Sequence, residues 1–184
     1  MAVVDFLRRG KKNLTVAYYD HGTGNTPLAV SLIGSYCRKH GLSFVWENNS
    51  RDCPKGVSKE EFWRNCRYEF LMQLSQEKKA SVITCHHLGD QVEQYLFSSL
   101  HGKVRLIPYR SWKGKVIRPF LLNPKFEFIR WCDEKNVPYL VDPSNLDIQY
   151  RRNYIRHKLL PVALKVNPGL NKTVRKLMRK SMEV

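Results

Sequence analysis

Residues 81–100 read SVITCHHLGDQVEQYLFSSL, and this stretch decides the fold class. Residues 81–85 are apolar and rich in β-branched side chains, with charges before them and polar residues after, the pattern of a buried strand. From Asp90, the residues Val92, Tyr95, Leu96 and Leu100 recur at helical spacing. Two histidines, a glycine and an aspartate lie between. That order is strand, polar turn, helix N-terminus. In an open parallel sheet, ligands gather outside this end of the strands. The turn carrying His86, His87 and Asp90 is therefore expected to wall a site.

The same alternation extends in both directions. Residues 2–9 form an apolar-then-basic run with Gly10 at its end, the tail of a helix. A strand is expected over 14–19, followed by the polar turn Asp20-His21-Gly22-Thr23-Gly24-Asn25. Pro27 opens a helix to about residue 40, with Leu28, Leu32 and Tyr36 on one face and Gly41 closing it. Residues 43–47 read as a strand and 48–57 as a polar loop. Ser58 with Glu61 is a capping-box signature for a helix reaching about residue 78. Beyond residue 100 the pattern weakens. Residues 104–112 are irregular, 115–118 a short strand and 124–136 a helix. Residues 141–150 form a loop built on the turn formers DPSN. Residues 151–164 form a basic helix, and 171–182 another, with Val174, Leu177 and Met178 on one side. The sum is α/β, an open and mainly parallel sheet flanked by helices, with a helical C-terminal part.

The chain of 184 residues has 42% hydrophobic content, enough for a real core, and lacks internal repeats. No stretch is long and apolar enough to cross a membrane as a helix. Five cysteines at 37, 53, 66, 85 and 132 show no C-x-x-C spacing, which argues against a zinc cluster and a disulfide framework and fits a reducing cytoplasm. Thirty-two Lys and Arg against 16 acids leave a net charge of +16, more than solubility requires; this points to a polyanionic partner such as RNA or DNA, the alternative being a solvated basic surface with no partner.

Several motifs follow one another in a fixed order. They are His86-His87-Leu88-Gly89-Asp90-Gln91-Val92-Glu93, then Arg118-Pro119, then Asp142-Pro143-Ser144-Asn145. After these come Arg152-Asn153-Tyr154-Ile155-Arg156-His157-Lys158-Leu159-Leu160-Pro161 and Asn167-Pro168. Together they resemble the N-terminal catalytic domain of the tRNA(Ile)-lysidine synthetases, in the PP-loop (N-type ATP pyrophosphatase) superfamily. Asp20-His21-Gly22 is similar to that family's N-H-G turn, and Arg64, Arg67 and Tyr68 to its A-R-x-x-R-Y helix. The resemblance implies a nucleotide-binding α/β domain over 1–122 and a basic helical extension over 123–184. It implies ATP and Mg2+ as cofactors, with tRNA (isoleucine tRNA in that family) and free lysine as partners. ATP would adenylate C2 of the anticodon wobble cytidine, and lysine would then displace AMP.

By the same resemblance, Tyr19, Asp20, His21, Gly22, His86 and His87 would hold nucleotide, and Asp90, Arg64 and Arg67 would serve catalysis. Asp90 and Glu93 would take lysine or magnesium. Arg118, Asn145, Arg152, Arg156, His157, Arg175, Lys176, Arg179 and Lys180 would contact tRNA. Each has a plainer reading. The histidines could cap a helix or brace the turn, and Asp90 suits an N-cap. Glu93 could pair on a solvated face. Arg64 and Arg67, three apart, share a helix face that could be solvated or suit a phosphate. Asp142 and Asn145 could simply build their turn. Arg152, Arg156 and His157 could carry phosphates or lock the chain against the DPSN loop.

Two departures stand out. Gly89 occupies the place of the first aspartate in the family's HH-x-D-D-Q. The family's S-G-G-x-D-S loop, whose backbone N–H groups cradle phosphate, is not within residues 1–184, nor is the strand before it. Residues 2–10 align with the helix after that loop, and the family's C-terminal tRNA-binding domains are not present either. The expectation is one piece of a split enzyme that needs the missing strand and loop from a second polypeptide. The alternative is a non-catalytic RNA-binding or assembly protein on a degenerate PP-loop fold.

Overall fold

A computed structural model describes residues 1–21 and 26–183. The chain forms two compact units, one from residues 1–82 and 130–140, the other from 83–129 and 141–184. The boundary expected near residue 122 falls inside the second unit. The real division is discontinuous in sequence, because residues 130–140 pack with the N-terminal unit.

The first unit holds α1 (Ala2–Arg9), β1 (Thr15–Asp20), α2 (Thr26–Lys39), β2 (Ser43–Asn48) and α3 (Lys59–Glu77). The strands β1 and β2 run parallel, in register from Thr15 opposite Ser43 to Asp20 opposite Asn48. Among the described residues β1 pairs with β2 alone, so its other edge is open. Gly41, at φ +63°, closes α2. Leu42 N–H donates to the Cys37 carbonyl at 2.9 Å and Gly41 N–H to that of Arg38 at 3.3 Å, a Schellman ending that only a residue tolerant of positive φ completes. Tyr19, Cys66 and Phe70 form the core between β1 and α3, with Val45, Phe62 and Leu74 around them. Ser58 is the N-cap of α3, but its side chain makes no capping hydrogen bond, so the expected capping box does not form. Glu60 and Glu61 still place negative charge at the positive end of the helix.

Asp5 of α1 is fully buried and collects four donors. Arg8 Nη2 and Arg9 Nε each reach it at 2.6 Å, Trp131 Nε1 at 2.9 Å, and the Tyr36 hydroxyl also donates. Burial on its own raises the Asp5 pKa, but the hydrogen bonds from Tyr36, Arg8, Arg9 and Trp131 outweigh it and hold the carboxyl far below its usual range. One side chain thus ties α1, α2 and the 130–140 segment together.

The second unit contains α4 (Leu88–Leu100), β4 (Arg110–Ser111), β5 (Val116–Ile117), the start of α5 (Lys125–Lys135), α6 (Arg151–Tyr154), a π-helical turn (Ile155–Leu159), α7 (Leu160–Val166) and α8 (Leu170–Met182). The strand expected over 81–85 shrinks to β3 (Val82–Ile83), extended by one bond from Thr84 N–H to the Ile117 carbonyl at 3.1 Å. Past it, Thr84 Oγ1 lies 2.9 Å from His86 Nδ1, and the chain has left the ladder for a turn. The strands β4 and β5 are antiparallel.

Val92, Leu170 and Val174 pack α4 against α8. The buried stripe of α8 is Leu170, Val174 and Met178, while Leu177 is exposed, a correction to the expected face. The single basic helix expected over 151–164 is interrupted by the π turn. Pro161 has no N–H for the His157 carbonyl, and its ring crowds that carbonyl, so the ladder widens there. No helix among the described residues is long and apolar enough to cross a membrane.

Candidate functional site

In the first unit the candidate residues lie where β1 ends. Asp20 is buried there, and the Tyr19 hydroxyl donates to Asn49 Oδ1 at 3.3 Å. His21 stacks on Trp63 of α3, ring centroids 5.9 Å apart and 28° between planes. Burial and the Arg67 cation lower its pKa to about 4, against a smaller opposing pull from Asp20. At neutral pH the ring is uncharged and serves as a hydrogen-bonding or stacking surface. Gly22 lies outside the described residues. Arg64 and Arg67 both stand over the Tyr68 ring, at 5.0 and 5.7 Å from its centroid, so one buried aromatic holds the two guanidiniums as a set. Trp63 was not singled out from sequence. No pattern distinguishes it from an ordinary helix aromatic.

In the second unit the turn before α4 is the centre. His87, not Asp90, is the N-cap. Asp90 sits three residues in, and its Oδ2 accepts from His87 N–H at 2.8 Å, the return half of a capping box. Asp90 is therefore a cap from inside the helix, with its other oxygen turned to the Arg156 guanidinium at 4.0 Å. Gly89 has a packing reason: a Cβ there would stand 2.8 Å from His87 Cε1. A side chain at position 89 would require the His87 ring to shift.

Glu93 is 4% exposed, which rules out the solvated-face reading. Arg156 grips it through both ends, Nε to Oε1 at 2.6 Å and Nη2 to Oε2 at 3.0 Å. This pairing raises the Arg156 pKa despite burial. Arg156 Nη1 also reaches Asn145 Oδ1 at 3.4 Å. His157 Nε2 meets the Asn145 carbonyl at 2.7 Å, and Asn153 Nδ2 donates to the Ser144 and Asp147 carbonyls, both at 2.8 Å. Asp142 closes the loop by accepting from Ser144 N–H at 2.9 Å. Arg156 and His157 thus lock the DPSN loop. Arg152 Nη2 reaches Gln94 Oε1 at 3.3 Å.

Arg118 is 1% exposed, and its Nη1 donates to the Pro108 carbonyl at 3.0 Å. A guanidinium so enclosed braces the 108–118 segment, where it was expected to contact tRNA. Arg175, Lys176, Arg179 and Lys180 lie on α8 away from its buried stripe, with all but the half-buried Arg175 exposed. Two residues of the motifs, Gln91 and Asn153, carry more structure than the sequence suggested. Gln91 is fully buried and bonds both main-chain groups of Ile107, at 2.7 and 2.8 Å.

Asp90 also bears on magnesium. Among the described residues no group of three or more His, Cys, Asp or Glu gathers as a metal site. A magnesium ion in a nucleotide enzyme commonly takes one or two carboxylates and completes its shell with phosphates and water. Asp90 has one oxygen clear of the capping bond, and that oxygen faces the Arg156 guanidinium at 4.0 Å.

A model of the PP-loop domain matches residues 1–163. The chain belongs to the PP-loop family. This PP-loop chain is 32% identical over 145 residues to a tRNA(Ile)-lysidine synthase of Francisella tularensis subsp. tularensis (strain WY96-3418), covering 75% of the chain and 36% of the relative. It is 30% identical over 177 residues to the tRNA(Ile)-lysidine synthase of Thermotoga sp. (strain RQ2), covering 91% of the chain and 42% of the relative. It thus spans well under half the length of these curated relatives. Among solved structures, the U34-tRNA thiolase NcsA from Methanococcus maripaludis, with its [4Fe-4S] cluster, superposes with a TM-score of 0.76 over 99% of this chain and 67% of that one. At 16% identity that likeness establishes the shared fold.

Proposed function

We propose that this PP-loop chain carries most of the catalytic domain of a tRNA(Ile)-lysidine synthase-type ligase. The observation that carries the reading is Arg156. Three motifs far apart in sequence converge on its guanidinium: Asp90 and Glu93 of HH-x-x-D-Q-x-E, Asn145 of D-P-S-N, and R-N-x-I-R-H, which supplies Arg156 itself. A solvated basic helix would leave these groups apart. The strand and S-G-G-x-D-S loop that cradle phosphate would come from outside these residues, on the same polypeptide or a second one, and would add along the open edge of β1.

In the reaction, the C2 oxygen of the wobble cytidine attacks the α-phosphorus of ATP and pyrophosphate leaves. The lysine ε-amine then attacks C2, and AMP leaves with the former C2 oxygen. Magnesium, when bound, would offset charge on the leaving pyrophosphate. Asp90 would bind the lysine ammonium and accept the proton lost on attack, a reading supported by its oxygen outside the capping bond. Arg156 holds the Glu93 carboxylate and the DPSN loop in place beside it. Arg64 and Arg67 supply a rigid cationic pair suited to phosphate oxygens.

The test is incorporation of labelled lysine into an isoleucine tRNA transcript with ATP and magnesium, the missing strand and loop being supplied in cis or as a peptide. Asp90→Asn, which can still accept from His87 N–H, is expected to cut incorporation at least about 100-fold, the scale of losing a general base. Full activity in Asp90→Asn would overturn the assignment. RNA binding without any incorporation would favour the non-catalytic binder.

A further inference from the structure

A cleft in the first unit runs along α2 from Leu28 to His40, with its cations gathered toward the end where β1 and β2 begin. It has a volume of about 690 Å³. Lys39 and His40 stand four and three residues before Ser43, where β2 begins, and Ser43 is in register with Thr15, where β1 begins. Asp20 and His21 close the far end of β1, about 16 Å away along a six-residue strand. The Lys39 end of the cleft is therefore remote from the β1 turn, while Leu28, near the start of α2, lies toward it.

Its chemistry is two-sided. Arg8 and Arg9 of α1, Lys39 of α2 and Lys135 of α5 stand on it. Asp5 neutralises one of these four charges and leaves an excess of three. Arg8 and Arg9 keep further N–H donors, with side chains 24% and 44% exposed. The lining also has an apolar part open to solvent, with Leu28 65% and Leu140 49% exposed beside Leu32 and Pro138. His40 registers the local field: burial first, then the cations of Arg8 and Lys39, lowers its pKa.

We propose that this cleft is a nucleotide-binding seat, with a phosphate held by Arg9, Lys39 and Lys135 and a base laid on Leu28 and Leu140. An anion alone would not need the leucines, and an apolar ligand would not need the cations. The volume lies within the range of small-ligand sites. The nucleotide is either free or one residue of an RNA strand, and the chain's net charge of +16 is in keeping with the second source.

The test uses the full 184-residue chain and two probes, UMP and a fluorescent single-stranded oligouridine. The His40 ring signals, assigned through His40→Gln, are followed by NMR during titration. Oligouridine binding is measured by anisotropy against salt. Bound phosphate should raise the His40 pKa and shift its ring signals. The pair Lys39→Gln and Lys135→Gln, both exposed, should weaken oligouridine binding about fivefold to tenfold and flatten the salt slope by about 1.4, the value for two phosphates of a single strand. Leu28→Ser should weaken binding without changing the slope. A response to UMP assigns a free nucleotide, and a response to oligouridine alone assigns RNA. The proposal is overturned if neither probe moves His40. It is equally overturned if polyglutamate shifts His40 as strongly as oligouridine does and Leu28→Ser leaves oligouridine affinity unchanged.

Discussion

Replacing Asp5 by alanine removes the acceptor shared by Tyr36, Trp131, Arg8 and Arg9. Tyr36 is buried and Trp131 half-buried, so their donors would lose a charged acceptor, a bond usually contributing about 1.5–3 kcal/mol. Arg8 and Arg9 are partly exposed and can turn to water, so each contributes at most about 1 kcal/mol. The expected loss is about 3–5 kcal/mol, in line with breaking a buried ion pair. For a chain of this size that lowers the melting temperature by about 6–20 °C, read by calorimetry at pH 7. A double-mutant cycle with Trp131→Phe, which keeps the ring and deletes the N–H, should show coupling of about 1–2 kcal/mol. There is also an acid signature. The folded pKa of Asp5 is depressed, so its stabilisation is complete above the unfolded value of about 3.9 and is lost as pH falls below it. Asp5→Ala should flatten the stability profile in that acid range. A melting temperature within about 2 °C of the parent, or no coupling to Trp131, would refute the reasoning.

Gly89→Ala, near a helix start, would ordinarily stabilise by about 0.4–1 kcal/mol, but the 2.8 Å approach to His87 should reverse the sign, which urea unfolding would show. Arg156→Lys should fail to rescue Arg156→Ala in proteolysis of the 142–147 loop, because an ammonium cannot grip both oxygens of Glu93 and also reach Asn145. NMR titration should find His21 neutral down to about pH 4. Its contribution to stability is then complete above the unfolded value of about 6.5 and falls as pH drops towards the folded one, and Trp63→Ala should bring the His21 pKa back up towards normal.

The strand–turn–helix order was legible because it depends on local periodicity and turn chemistry. Apolar spacing placed α2, α4 and α8 within a few residues, the Ser58–Glu61 signature placed α3, and Pro27 and Gly41 bounded α2 for reasons contained in their own backbones. The order of motifs was legible too, and with it the family.

Partnership was not. Whether Glu93 faces solvent or Arg156, whether Arg118 is exposed or enclosed, and which helix face of α8 is buried depend on chain segments 10 to 87 residues away. The π turn at 155–159 reflects Pro161 acting on a carbonyl four residues earlier, which propensity alone does not reveal. Asp5 is the sharpest case. From sequence it is one acid in an amphipathic helix, and only folding brings Trp131 to it across 126 positions. Sequence by itself determined which elements form and which family they compose, because those follow from short-range sterics and hydrophobic pattern. Tertiary structure decided which charges are spent on one another, because burial and the choice of partner are properties of the packed chain.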